Sequence, residues 1–282
     1  MSQTIATLSS VSDNLDTFAK LVRVIEKEGV AWEDLIRPIN NLTARRNLAE
    51  YLQAGCPKMP VAPVPDKVVQ TSVPLPDAYL AAAKILGQDF IPPEELAQAR
   101  GVSYTDEQLK TFADTLPTQE VLEWCQKNGF MVVAGPPQPL SLLQIREMKP
   151  EYFYTKEGGW YAEECEKFSR EQKVTTQWLM LRKEPVPNSL NKTWDAQKKL
   201  LSEVEYVPND AEVEWGITTY KVVRNIYLLR GGYVRTSSVG SLRHRVLVGF
   251  FDASGLVVDD SYVVSGWGGV GVASARKLQI AT

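Results

Sequence analysis

Residues 237–272 read SSVGSLRHRVLVGFFDASGLVVDDSYVVSGWGGVGV, and the reading of this stretch decides the fold and the function expected of the chain. It contains no Lys, Glu, Gln, Met, Ile, Thr, Pro, Asn or Cys, although these are common before it and return at Lys277 and Gln279. Strand-rich sequence disfavours several of these types but rarely excludes all of them. Valine-rich runs broken by glycine read as short strands. Side chains alternate between the two faces of a strand, so Val246, Val248, Phe251, Ala253, Leu256 and Val258 fall inward. Leu247, Phe250, Asp252, Ser254, Val257 and Asp259 fall on the other face. A loop follows from Asp260 to Gly269. The expectation is that Leu242, His244, Leu247, Phe250, Asp252, Ser254 and Val257 share one exposed surface with Asp259, Asp260, Ser261, Tyr262, Val263, Val264 and Ser265. That set mixes aromatic, aliphatic, acidic and hydroxyl side chains, a mixture that suits neither a core nor an ordinary solvated face.

Upstream of it, Val213, Trp215, Ile217 and Thr219 alternate with polar or small residues, and residues 222–229 do so less strictly, so strands are expected from Ala211 onward. Earlier still the pattern is helical. Helices are expected over 77–86, over 92–99 with Pro92-Pro93-Glu94-Glu95 at its start, over 105–116 with Leu109, Phe112 and Leu116 on one face, and over 118–128. Phe130 to Ala134 is a buried-strand candidate, 153–161 a hairpin around Gly158-Gly159, 176–182 a strand, and 190–202 a helix. Helices followed by strands, without regular βαβ alternation, give an α+β fold class. Residues 1–55 form a small N-terminal helical region with Leu15, Phe18, Leu21, Val22 and Ile25 on one face. Residues 56–76 carry six prolines and read as a linker or strap, because such spacing suits neither helix nor central strand. The main domain then covers 77–282.

The chain has 282 residues, a net charge of −3, 44% hydrophobic and 23% charged residues. That balance describes an ordinary globular protein and argues against nucleic-acid binding driven by phosphate neutralisation. No apolar run is long enough to cross a membrane, so no membrane insertion is expected. Residues 1–12 show no export signal; the chain is expected to be cytoplasmic as made, with surface or virion display left open. Cys56, Cys125 and Cys165 form no CxxC pair and read as idle thiols. There is no phosphate-binding glycine loop, and Gly266-Trp267-Gly268-Gly269 lies between strands. His244 is the only histidine. A relay with Ser241 or Ser254 and Asp252 or Asp259 is not expected, since residues so close in sequence on alternating positions do not converge. The pairs Glu163/Glu164/Glu166, Glu203/Glu205 and Glu212/Glu214 read as solvated faces, and Tyr152, Phe153, Tyr154, Trp160 and Tyr161 as packing. No cofactor and no metal are expected.

Pro208-Asn209-Asp210-Ala211-Glu212-Val213-Glu214-Trp215 is similar to the Leu-Pro-Thr-Glu-Ala-Glu-Trp-Glu signature of the formylglycine-generating-enzyme type of C-type lectin fold. Leu229-Arg230-Gly231-Gly232-Tyr233 resembles that family's Leu-Arg-Gly-Gly-Ser-Trp, and Val270 to Arg276 its closing Gly-Phe-Arg-Leu-Ala strand. The resemblance covers about residues 110–282 and implies a C-type-lectin-like domain. The sulfatase-activating members use cysteines late in that domain, whereas every cysteine here precedes residue 166. Glu184-Pro185-Val186-Pro187-Asn188 departs from the Glu-Pro-Asn of the calcium-dependent sugar binders.

Within that fold class the restricted alphabet resembles the output of diversity-generating retroelements. In these a reverse transcriptase copies a template repeat while mutating its adenines, and the copy replaces the end of the gene. AAY codons randomised in this way yield Phe, Ser, Tyr, Leu, His, Arg, Val, Ala, Asp and Gly, but not Lys, Glu, Gln, Met or Trp, which makes Trp267 a framework residue. The resemblance implies a non-enzymatic variable protein whose segment 240–269 binds a ligand, expected to be a protein, through anchors such as Tyr262, Phe250 and His244. The N-terminal helices would then serve for oligomerisation or for attachment to a partner. The alternatives are a lectin-fold enzyme using other residues and a fixed phage or structural lectin-like protein.

Overall fold

The structure, a computed structural model, describes residues 77–261 and 268–278. The chain divides into two units, Met1–Lys67 and Val68–Thr282. The N-terminal helical region and the proline-rich stretch lie outside the described residues, as do Tyr262, Val263, Val264, Ser265 and Trp267.

In chain order the elements are α1 (Asp77–Leu86), β1 (Phe90–Ile91), α2 (Pro93–Arg100), α3 (Asp106–Asp114), α4 (Gln119–Lys127), β2 (Phe130–Ala134), α5 (Leu142–Met148), α6 (Phe168–Glu171), β3 (Trp178–Arg182), α7 (Trp194–Lys198), β4 (Glu205–Tyr206), α8 (Asp210–Arg224), β5 (Tyr233–Val239), β6 (Arg245–Asp252), β7 (Gly255–Ser261), β8 (Val270–Val272) and β9 (Ala275–Arg276). Two open sheets result, with strand orders β1-β2-β3-β9-β4 and β7-β6-β5-β8. The expected α+β class agrees with this mixture. The order of elements is less segregated than the sequence pattern suggests, because β9 returns to pair antiparallel with β3 in the first sheet.

The early helices begin where the sequence provides caps. Thr105 and Gln108 form a capping box at the start of α3 (Thr105 Oγ1 to the Gln108 N–H, 3.2 Å), and Pro93 opens α2 in its first turn. Their apolar faces close over the first sheet. Phe90, Phe112 and Tyr79 surround Trp178 with ring centroids 5.2–5.8 Å apart, and the Trp178 indole donates to the Phe112 carbonyl at 2.9 Å.

The largest correction concerns α8. The strand expected from Ala211 is a helix, opened by a reciprocal cap: Asn209 Oδ1 accepts the Glu212 N–H at 2.9 Å and Glu212 accepts the Asn209 N–H at 2.8 Å. From Asp210 to Tyr220 every residue except Glu212 is buried. A helix enclosed on all sides does not show a one-sided 3.6-residue stripe, so the every-second-residue run of Val213, Trp215, Ile217 and Thr219 imitates a strand. Gly216 lets the helix lie close on the first sheet, since a Cβ there would meet Leu181 at 2.6 Å and Met131 at 2.8 Å. The Trp215 indole donates to the Ala134 carbonyl at 2.9 Å, and Arg100 stacks over its ring at 4.1 Å. α8 also contacts β5 and β6, so it is the shared core of both sheets.

Two shorter elements also differ. No hairpin forms over 153–161. Phe153 instead pairs in parallel with Leu256, the Tyr154 N–H reaches the Leu256 carbonyl at 2.9 Å, and a 3-10 turn follows over Trp160–Ala162. The helix expected over 190–202 shrinks to α7, capped by Thr193. Glu166 and Glu214, expected on solvated faces, are buried.

Candidate binding surface

The second sheet carries the restricted segment. Its register sets Val234 beside Val248 and Val248 beside Val258, with Val246 two residues along on the same face. Val246, Val248, Phe251, Leu256 and Val258 are all buried in the main core, as the alternation predicts. Ala253 departs from it: it is exposed in the turn between β6 and β7, where side chains leave the pleat.

That turn accounts for two candidate residues. Asp252 Oδ1 accepts the Ser254 N–H at 2.8 Å and the Ser254 hydroxyl, a local turn closure available to aspartate. Gly255 completes it at φ +110°, a conformation hostile to L side chains, with the Phe153 backbone 2.5 Å from where a Cβ would stand. A bulge between Gly249 and Asp252 puts Phe250 at φ +44° and turns its ring onto Tyr233, with centroids 4.6 Å apart.

The outer face of the sheet is only partly open. Arg235 stands beside Leu247, which stands beside Asp259. Arg235 is buried and donates to the Lys192 carbonyl (2.9 Å), Gln197 Oε1 (2.9 Å) and the Ser261 hydroxyl (3.2 Å). Gln197 in turn donates to the Ser189 and Val270 carbonyls, and Trp194 packs with Val186 and Val272 while Arg245 stacks on its ring at 4.2 Å. Residues 184–198 therefore cover the β5–β8 half of this face. Two candidates are consequently corrected: Leu247 (0% exposed) and Ser261 (2%) are buried and do not join an exposed surface. What stays open is a strip of half-buried Tyr233, Phe250 and Val257 with exposed Asp259. Partial desolvation holds the Asp259 carboxyl above its usual range, opposed by the Asp260 backbone N–H and reinforced by the Asp260 charge. Burial, then the nearby Asp259 charge, raises the Tyr233 phenol.

Leu242, His244 and Asp260 fall elsewhere, at the rim where β5, β6 and β7 end. Gly240 to Arg243 form a tight turn that leaves Leu242 72% exposed. His244 Nδ1 lies 3.1 Å from Asp260 Oδ2. Beside them opens a hollow of about 410 Å³ lined by Trp160, Glu163, Cys165, Glu166, Ser241, Leu242, Asp259 and Asp260. Trp160 is fixed by its indole N–H on the Val258 carbonyl (3.1 Å), and Glu166 by the Ser241 N–H (2.9 Å) and hydroxyl. The arrangement does not assemble a nucleophile relay: the Ser241 hydroxyl is committed to Glu166 and that of Ser254 to Asp252. Cys125 is buried, its thiol pushed up to about 12 by desolvation, while Cys165 is exposed at the hollow.

The sequence pattern missed Trp160, Glu163, Glu166, Ser241 and Tyr233 as neighbours of the surface. The run of aromatics and glutamates at 152–166 is visible in sequence, but nothing local places it against β7.

No family model, curated protein or solved structure matches this chain. Among the described residues, no helix is long and apolar enough to cross a membrane.

Proposed function

We propose that this chain is a non-enzymatic ligand-binding protein, and that it displays a retroelement-diversified surface on a C-type-lectin-like fold of the formylglycine-generating-enzyme subtype. Its ligand is a protein. The observation that carries this reading is the pairing of a restricted alphabet with two unlike strand faces: Val246, Val248, Leu256 and Val258 are uniformly apolar and buried, while Phe250, Val257 and Asp259 across the same strands share no chemistry. A core constrains the first set by packing, and nothing in packing asks for the second. Half-buried aromatics beside exposed acids are suited to a protein interface, where rigid rings contribute contact area at low entropic cost. In this reading Leu247 and Ser261 belong to the framework, and the displayed set is Leu242, His244, Phe250, Asp252, Ser254, Val257, Asp259 and Asp260 with Tyr262 to Ser265.

The test is genetic and inexpensive. Downstream of the gene there should lie a near-copy of its final hundred or so bases, carrying adenines where the gene has other bases, next to a reverse-transcriptase gene. Sibling copies should differ at Leu242, Val257 and Asp259 but agree at Leu247, Val248 and Ser261. Finding neither repeat nor reverse transcriptase, with sibling copies identical over 240–269, removes the proposal. A turnover abolished by His244→Ala or Asp259→Asn would favour the lectin-fold enzyme instead.

A further inference from the structure

The N-terminal turns of α8 bury two carboxyl groups one helical turn apart, Asp210 and Glu214, both 0% exposed. Asp210 is partly satisfied: the Ser238 Oγ of β5 accepts the Asp210 N–H at 2.9 Å, and its single proton faces both Asp210 Oδ1 at 2.6 Å and Gln172 Oε1 at 2.5 Å. Among the described residues, its Oδ2 has no hydrogen-bond partner and neither oxygen of Glu214 has one. The groups that face Glu214 are few. Arg146 of α5 acts on it, but its guanidinium is directed to the Gly158 carbonyl (2.7 Å) and to the Tyr161 ring (5.2 Å). Tyr161, from the 3-10 turn, gives its hydroxyl to the Thr155 carbonyl at 3.0 Å. Glu212, the remaining acid of this turn, is turned away onto Asn209 and Tyr206. Arg100 of α2 binds one turn further along, on Thr218 and Thr219.

Three acceptor oxygens are thus buried without a donor. Two carboxylate anions in such a place would each be desolvated and would repel one another. A neutral acid removes one of the two charges.

We propose that the buried Asp210–Glu214 pair holds a proton, one of the two carboxyl groups staying a neutral acid, so that α8 is a proton-binding element beneath the displayed sheet. The directions of titration agree with this geometry. Burial pushes Asp210 up to about 7 against the opposing hydrogen bonds of Ser238 and of the helix N-terminus. Burial, then the Asp210 charge, raises Glu214 well above the ordinary carboxylate range, with Arg146 opposing. The two groups titrate as a pair.

Both folded-state pKa values lie above those of the unfolded chain, so the folded state takes up protons. The stability they contribute is fully present below about pH 4, falls as pH rises above that, and is gone once pH passes the folded values, that of Asp210 near 7. For each proton held, the folding constant falls about tenfold per pH unit within that window.

The experiment uses the full chain. Infrared spectra at neutral pH should contain the C=O stretch of a protonated carboxylic acid, and Glu214→Gln should weaken it. Denaturant titrations from about pH 5 to pH 9 should show the wild type losing stability with rising pH, and Glu214→Gln should flatten that slope. Should Glu214→Gln not fold, Asp210→Asn and the wild-type infrared band decide the matter. Absence of the band at neutral pH, or equal slopes in wild type and variant, overturns the proposal and makes Glu214 an ionised group bridged to Arg146 by water.

Discussion

The two faces of β6 and β7 are made by the same strands in the same register, yet they obey different rules. On the inner face Val246, Val248, Leu256 and Val258 all meet the core that α8 shares with the first sheet. On the outer face Leu247, Val257, Asp259 and Ser261 succeed one another without common chemistry, some buried and some open. The contrast teaches that chain periodicity specifies which side faces the core, whereas the fate of the opposite side depends on what else folds over it. Here residues 184–198 close over Arg235, Gln197 and Trp194, and leave only Tyr233, Phe250, Val257 and Asp259 partly or fully open to solvent.

The sharpest way to break the comparison is to place a charge on each face. Val248→Asp should unfold the domain or cost more than about 4 kcal/mol, because an unpaired carboxylate enters the core, while Val257→Asp should stay within about 0.5 kcal/mol in the same denaturant titration. Equal losses would mean that the two faces are not distinct. Next in size is Leu247→Ala. If Leu247 is framework despite its outer position, chemical denaturation should show a core-like loss of about 2–5 kcal/mol; a loss below about 0.5 kcal/mol returns it to the displayed set. Gly255→Ala, which forces a side chain into φ +110° against Phe153, should cost about 1–3 kcal/mol or more and lower the thermal midpoint. Asn209→Ala, which removes the cap of α8 and touches neither face, should cost about 1 kcal/mol. At the small end, Leu242→Ser on the exposed turn should leave the thermal midpoint unchanged.

Some of this was legible in the residues themselves. Period-two alternation located Val246, Val248, Phe251, Leu256 and Val258, and failed at Ala253 only because a turn has no faces. The cap that opens α8 was equally legible, since Asn209 followed three residues later by Glu212 is a helix start. It was outweighed by the alternation of Val213, Trp215, Ile217 and Thr219, a pattern that a fully enclosed helix permits. Glycine and proline placed the ends of α2, α4 and β2 within a residue or two.

The amino-acid sequence by itself determined the α+β class, the inner face of the last sheet and the restricted alphabet that motivates the proposed function. These are properties of neighbouring residues, fixed by backbone geometry and side-chain size. Tertiary structure alone decided that Leu247 and Ser261 are covered, that Leu242, His244 and Asp260 gather at a rim beside Trp160 and Glu166, and that Asp210 and Glu214 are buried together. Each of those outcomes depends on segments that meet across long stretches of chain. Burial is a property of the assembled surface, so no local pattern in 237–272 encodes where residues 152–198 come to rest.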